Sequence, residues 1–482
     1  MNLDELYNKL KVAIIDGLKF VLENEEDFFR YNLSNYYNEY PNLTYQYTGY
    51  PHFSKSAFVK RNYYGLLIKD DTCKSLKSWK EFQECLLADD AYCKFHFLGK
   101  YSEHEKEEHK IFWDSFFSMY PITDLIDRYI HTYSTKEFDD EKFKILFNEW
   151  SNYFTQTSLP FDILIPILMV TFDFDTLEIS NGLSIERMSD IFQKSRNTKT
   201  STNSSPHQNV ISSATHAFVL KNYSIENETS KSLNNLQEIS CYSKVVEKID
   251  KLFAYLRTRT AVDIGYSQII AQPTNWASSF SADLLPIAIA TTKAYPDYFE
   301  NFYWNYLPNK LSTDIFVKDE INKYLTPIQR NVQVAIDRLN NAFLRRHIDD
   351  SIIDVTIALE ALFIDSSENT EVTHKLSSRA AILCKLFPLD SFTPFQVFKA
   401  CKKIYRFRSA IVHSKEKKEL DKSRNLKSDI LPDITSVEAG IKILSHSINI
   451  LLCNPQFLIV EELDKNIFDE VAKKGTTQQK KD

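Results

Sequence analysis

Glycine is scarce, with 8 among 482 residues. Few positions can then adopt a positive φ at low cost, which excludes a turn-dense β sandwich and favours helices. Cysteine is sparse as well. Cys73, Cys85, Cys93, Cys241, Cys384, Cys401 and Cys453 form no CxxC, and no histidine lies near them at finger spacing. A structural zinc site is therefore not expected, and an odd, scattered set fits free thiols in a reducing cytosol. The chain also lacks an excess of positive charge. Its net charge of −7 means that any polyanion site must be a local basic patch. Long apolar runs are missing too. Phe161–Phe172 and Leu284–Thr292 are the most apolar, yet both are too short to cross a bilayer and each holds a proline. They read as buried core. The first residues include Asp4 and Glu5 and no basic leader, so a cytoplasmic protein without a membrane partner is expected.

What is present points to an α+β chain, mainly α, in several parts. Residues 1–158 read as a helical region. Leu3, Leu6, Leu10, Ile14, Leu18 and Val21 recur at helical spacing over 3–30, and further helical patterns cover 78–97 and 105–135. The cluster His104 to His109 has two imidazoles five apart, which is not the i, i+4 spacing of a helical metal site, and reads as a solvated charged helix. Residues 159–318 change character. Val170–Ile179, Leu183–Arg187, Ala217–Leu220 and Asn222–Ile225 predict a small antiparallel sheet. The polar stretch 194–209 reads as a mobile loop, 243–260 as a helix with a basic cluster at Arg257 and Arg259, and 261–318 as mixed. Residues 319–465 are strongly helical. Helices are expected near 325–344, over 351–364 with Asp349 or Asp350 as N-cap, over 372–387, from Thr393-Pro394 to at least Val412, and over 436–453. Short connections make these an antiparallel bundle. Residues 466–482 read as a polar tail.

The chemistry centres on Arg406 to Ser414, RFRSAIVHS. Arginine is permanently cationic and grips phosphate with two prongs. Histidine moves protons near neutral pH. Together they suffice for RNA cleavage without a metal, because the ribose 2′-OH supplies the nucleophile. With 15 Arg and 11 His in the chain, such spacing arises by chance, so its context must discriminate. Lys399 to Lys427 carries eleven basic residues, among them Lys402 and Lys403, against Glu416, Glu419 and Asp421. This patch suits an RNA backbone, or is a solvated lysine-rich loop. Glu360 stands in an apolar helix and needs a partner if buried, with Arg408 or Arg379 available. Its role is then structural pairing or orientation of a catalytic arginine.

Four segments in order, Ala335 to Arg346, Asp354 to Phe363, Lys375 to Cys384 and Ile404 to Ser414, resemble the Apea-like branch of the HEPN superfamily. The likeness spans under a third of the chain. It implies a HEPN-type helical bundle, whose Arg-x(4–6)-His signature would make Arg408 and His413 the catalytic pair, with polar Ser409 after the arginine. It further implies a metal-independent endoribonuclease with no cofactor. RNA would be its substrate, tRNA among the candidates. The setting would be antiphage defence or a toxin system, with a phage-derived trigger or an antitoxin as partner. HEPN domains usually pair so that both motifs line one cleft, so a homodimer is expected. The alternative is a non-catalytic bundle that dimerises and binds RNA or protein.

Helix geometry leaves the arginine open. At 100° per residue Arg408 and His413 lie about 140° apart, whereas Arg406 shares the side of His413. Arg408 reaches around, or the helix distorts before His413, or the cleft uses two chains. Arg406 is then an auxiliary phosphate contact or the principal one.

Overall fold

In a computed structural model the described residues are all but 1, 32–35, 39–41, 55–58, 70–74, 98–106, 199–207, 229–240, 275, 277–288, 297–306, 346, 369, 391, 414–416, 427–433 and 479–482. The chain is α+β and mainly α, as its sequence predicts.

The amino-terminal helices are α1 (Leu3–Tyr31), α2 (Tyr63–Lys69), α3 (Lys77–Leu87), α4 (Asp90–Phe97), α5 (Glu107–Tyr133) and α6 (Asp140–Thr155). Leu6, Leu10, Ile14, Leu18 and Val21 form the buried stripe of α1 and share a core with Trp79, Phe82, Ile126, Tyr129 and Phe143. Two short antiparallel pairs accompany them, β1 (Tyr36–Asn38) with β4 (Val59–Arg61), and β2 (Asn42–Tyr45) with β3 (Pro51–Ser54). Of the His104 to His109 cluster, only Glu107 to His109 fall within the described residues, where they begin α5.

The sheet is larger than expected and is mixed. It comprises β5 (Ser158–Leu168), β6 (Val170–Phe172), β7 (Thr176–Ser180), β8 (Leu183–Arg187), β9 (Ala214–Glu226), β10 (Tyr266–Pro273), β11 (Ile289–Ala294) and β12 (Asn309–Leu311). The order is β11-β10-β5-β9-β6-β12, with β8 on β9 and β7 on β8. The β12–β6 and β6–β9 pairings are parallel and the rest antiparallel. Three of these strands lie in 261–318, which reads as mixed from sequence. β10 is buried on both faces over most of its length, so it shows no alternation. The polar stretch at 194–209 also needs correction at its ends. Its middle lies outside the described residues, but α7 (Asp190–Thr198) and α8 (Gln208–Ser212) flank it as helices.

The remaining helices are α9 (Tyr242–Thr260), α10 (Lys318–Leu325), α11 (Arg330–Leu344), α12 (Ile348–Phe363), α13 (Val372–Leu386), α14 (Pro394–Val412), α15 (Lys417–Arg424), α16 (Ser436–Cys453) and α17 (Val460–Gln478). α9 joins sheet to bundle. Phe253 packs on Phe218 and Tyr266 of the sheet with ring centroids 5.6 and 4.8 Å away. From the same helix, the Thr258 hydroxyl meets the Tyr324 hydroxyl at 2.7 Å, and Tyr324 donates to Asn449 of α16. One apolar core therefore runs from the sheet through the bundle without a break at 318/319.

Arg257 is not part of a surface cluster. It is buried, its Nη1 donates to Asn340 and its Nη2 to the Ile264 carbonyl at 2.8 and 2.9 Å. Burial pulls its pKa down to about 10. Arg259 sits 3.6 Å from Glu320.

Within the bundle, local signals decide the helix ends. Thr393 with Gln396, and Thr435 with Glu438, form capping boxes that start α14 and α16. α12 starts earlier than its aspartates suggest. His347 is the N-cap, and Asp349 and Asp350 occupy the first turn, where carboxylates favour the positive end of the helix dipole. Asp354, nearly fully buried, accepts from Arg338 Nη1 at 2.8 Å and Arg345 Nε at 3.3 Å, fixing α12 to α11. Gly440 lets α16 approach closely, since a Cβ there would stand 2.7 Å from Val355 Cγ1. The expected polar tail begins as the second half of α17, which continues to Gln478.

Candidate functional site

α14 carries the Arg-and-His segment. Val397, Ala400, Cys401, Ile404, Phe407 and Ala410 make its buried spine. Their three- and four-residue spacing turns the other side chains outward. Lys402, Arg406 and His413 are exposed, and Phe395 is 65% exposed. Positions 395, 399, 402, 406, 409 and 413 follow 4-3-4-3-4 spacing and so share one face. Lys399 Nζ lies 4.8 Å from the Phe395 ring centroid, and Lys402 Nζ lies 5.2 Å from that of Phe398. Lys403 leans to the flank, where its Nζ donates to the Lys422 carbonyl of α15 at 2.5 Å.

The helix ends at the histidine. His413 is the C-cap, with φ −95° and ψ 15°, and its N–H still donates to the Ser409 carbonyl at 3.1 Å. Of the readings that the sequence leaves open, a distortion before His413 is not seen, since α14 stays helical through Val412 and departs from helical geometry only at the cap itself. His413 therefore remains on the side of Arg406.

Arg408 lies elsewhere. It is half-buried, and its guanidinium carbon is 5.8 Å from the Tyr405 ring centroid. Its Nε is buried and has no hydrogen-bond partner among the described residues. The Tyr405 phenol is raised in pKa, first by burial, then by the charge of Glu360 and a hydrogen bond to it, with Arg408 opposing. Glu360 of α12 thus borders Tyr405 and Arg408. The other candidate partner, Arg379, is engaged elsewhere. It donates to Glu368, Asp464 and the Phe363 carbonyl.

Two groups result. Arg406 and His413 share the exposed face with Lys399, Lys402 and Ser409. Arg408 stands with Tyr405 and Glu360 on the side toward α12. Among the described residues no hydrogen bond joins Arg408 to His413. Sequence reasoning passes over Tyr405, although its i, i+3 relation to Arg408 is the signal that marks it.

No family model, curated protein or solved structure matches the chain. Among the described residues no three His, Cys, Asp or Glu side chains gather as metal ligands, and no helix is long and apolar enough to cross a membrane. The site's own chemistry is therefore what bears on function. It offers an exposed imidazole, two guanidiniums and several ammonium groups, with one carboxylate and one phenol behind them.

Proposed function

We propose that the carboxy-terminal bundle is a HEPN-type domain and that the protein is a metal-independent endoribonuclease. It acts as a homodimer in the cytoplasm, as an antiphage or toxin-type effector. The observation that supports this most is Arg408, a half-buried guanidinium with an unsatisfied Nε on the same helix as the exposed face that bears Lys399, Lys402, Arg406 and His413. A buried donor without a partner is costly, and a phosphate oxygen would satisfy it. Arg408 would stabilise the charged phosphorane, His413 would move the proton, and Arg406 and the lysines would hold neighbouring phosphates.

The product ends test the reaction class. With the 2′-OH as nucleophile, upstream fragments should end in a 2′,3′-cyclic phosphate or its opened form, and downstream fragments in a 5′-hydroxyl. Cleavage should continue in EDTA, because the RNA supplies its own nucleophile. A 5′-phosphate product that requires Mg²⁺ would point to another site.

The separation of Arg408 from His413 on one helix supports a cleft shared by two chains. Arg408→Ala and His413→Ala chains, each inactive alone, should then regain about a quarter of wild-type cleavage when mixed. Half of the dimers would be mixed, and each would hold one intact site of two. A mixture that stays inactive although subunits exchange would place both residues of a site in one chain. A wild-type protein that binds RNA without cleaving it under any of these conditions would favour the binding module instead.

A further inference from the structure

Six free cysteines lie among the described residues, and they differ in access. Cys401 is fully buried and Cys384 nearly so, and burial drives the Cys384 thiol up to about 12 and Cys401 in the same direction. Cys93 is half-buried, with its sulfur directed at the Leu87 carbonyl 3.4 Å away. Cys453 is the exposed one. It is the last residue of α16, and the Nζ of Lys323 on α10 lies 3.1 Å from its sulfur. Lys323 has no carboxylate partner among the described residues. Its neighbour Glu320 is occupied by Arg259.

We propose that Lys323 and Cys453 form a peroxide-sensitive covalent bridge between α10 and α16. In the first step the Cys453 sulfur attacks a peroxide oxygen. The O–O bond breaks, sulfur is oxidised to sulfenic acid, and one water leaves. In the second step the lone pair of the neutral Lys323 amine attacks that sulfur. The S–O bond breaks, an S–N bond forms, and the hydroxyl leaves as a second water with a proton from nitrogen. The net change is a two-electron oxidation in which one peroxide becomes two waters. A thiol reductant reverses it by attacking sulfur and returning the amine.

Position gives the bridge an effect. The two residues are 130 apart in sequence, so joining them closes a long loop and restricts the unfolded chain. The joined helices already share the polar contact of Tyr324 with Asn449 at 2.8 Å, so the bond would form across a contact that is already made. The bridge leaves α14 untouched.

The test treats the full chain with stoichiometric hydrogen peroxide, then digests it without reductant and reads peptide masses. The expected product is a peptide containing Lys323 joined to one containing Cys453, at their summed mass less two hydrogens. It should disappear with dithiothreitol, and also in Cys453→Ser and in Lys323→Met. The unfolding midpoint of the treated wild type should rise by several degrees and return on reduction, while either variant should not respond. Lys323→Met keeps the thiol, so its loss of the joined peptide without loss of fold assigns the amine. Sulfenic or sulfinic acid at Cys453 with no joined peptide would overturn the proposal. So would a joined peptide that carries an additional oxygen.

Discussion

Replacing His413 by alanine should reduce RNA cleavage by about a hundred- to ten-thousand-fold, the range expected when a positioned proton-transfer group is removed. The fold should survive. His413 is exposed and caps α14 through its backbone N–H, which alanine retains. Stability should therefore change by no more than about 0.5 kcal/mol. Initial rates on a labelled RNA, with thermal unfolding and size-exclusion on the same preparation, separate the two quantities. Full cleavage by the folded variant would remove the enzyme reading. Loss of cleavage with loss of the dimer would mean that the side chain serves assembly.

The two arginines should respond differently from each other. Arg406 is exposed and shares its face with lysines that can substitute for it, so its loss should weaken RNA binding more than turnover. Arg408 is half-buried beside Tyr405 and Glu360. Its removal deletes a guanidinium whose buried Nε is unsatisfied and leaves the surface charge nearly intact. A contact made only as charge develops on phosphorus lowers kcat and kcat/KM together, whereas a uniform binding contact raises KM.

Much of this site is legible in the sequence alone. The Thr393-Pro394 start of α14 is a local signal, and both its capping box and the proline at its start reside within four residues. The opposed directions of Arg408 and His413 follow from 100° per residue alone. What stays hidden depends on contacts between distant segments. Glu360 has two candidate arginines, and only the packing of α13 against α12 and α17 assigns Arg379 to Glu368 and Asp464. Arg257 reads only as half of a basic cluster with Arg259, yet it is buried and its nearest acceptors, Ile264 and Asn340, lie 7 and 83 positions away. β10 lacks alternation because both of its faces are covered. The single core shared by sheet and bundle is likewise invisible, since the apolar pattern of α9 identifies a helix without saying that it is packed on two sides.

Arg379 belongs to a segment that the resemblance includes, and its replacement by alanine should act on stability and leave the cleavage chemistry alone. Its side chain is 3% exposed, and it donates to both oxygens of Glu368, to both of Asp464 and to the Phe363 carbonyl. It therefore ties the end of α12, the loop to α13 and the start of α17 together. Removing one partner of a buried pair costs about 3–5 kcal/mol. Asp464 is 39% exposed and can be hydrated once released, so the lower end of that range, about 3 kcal/mol, is expected. Urea unfolding should show it as a lower midpoint at unchanged slope. The pH dependence gives an independent signature. Arg379 hydrogen bonding holds the Glu368 carboxyl down at about 2 against its ordinary 4.5, with Lys375 assisting. A carboxyl with a depressed folded-state pKa contributes fully above the ordinary value, and its contribution fades as pH falls from 4.5 toward 2. In Arg379→Ala this acid-sensitive contribution should largely vanish, so wild type and variant should converge in stability as the pH approaches 2. Below the unfolding transition, per-molecule cleavage by the folded variant should match wild type, because Glu368, Asp464 and Phe363 all lie outside α14. A variant as stable as wild type at pH 7, or one stably folded but unable to cleave, would contradict the assignment of Arg379 to structure.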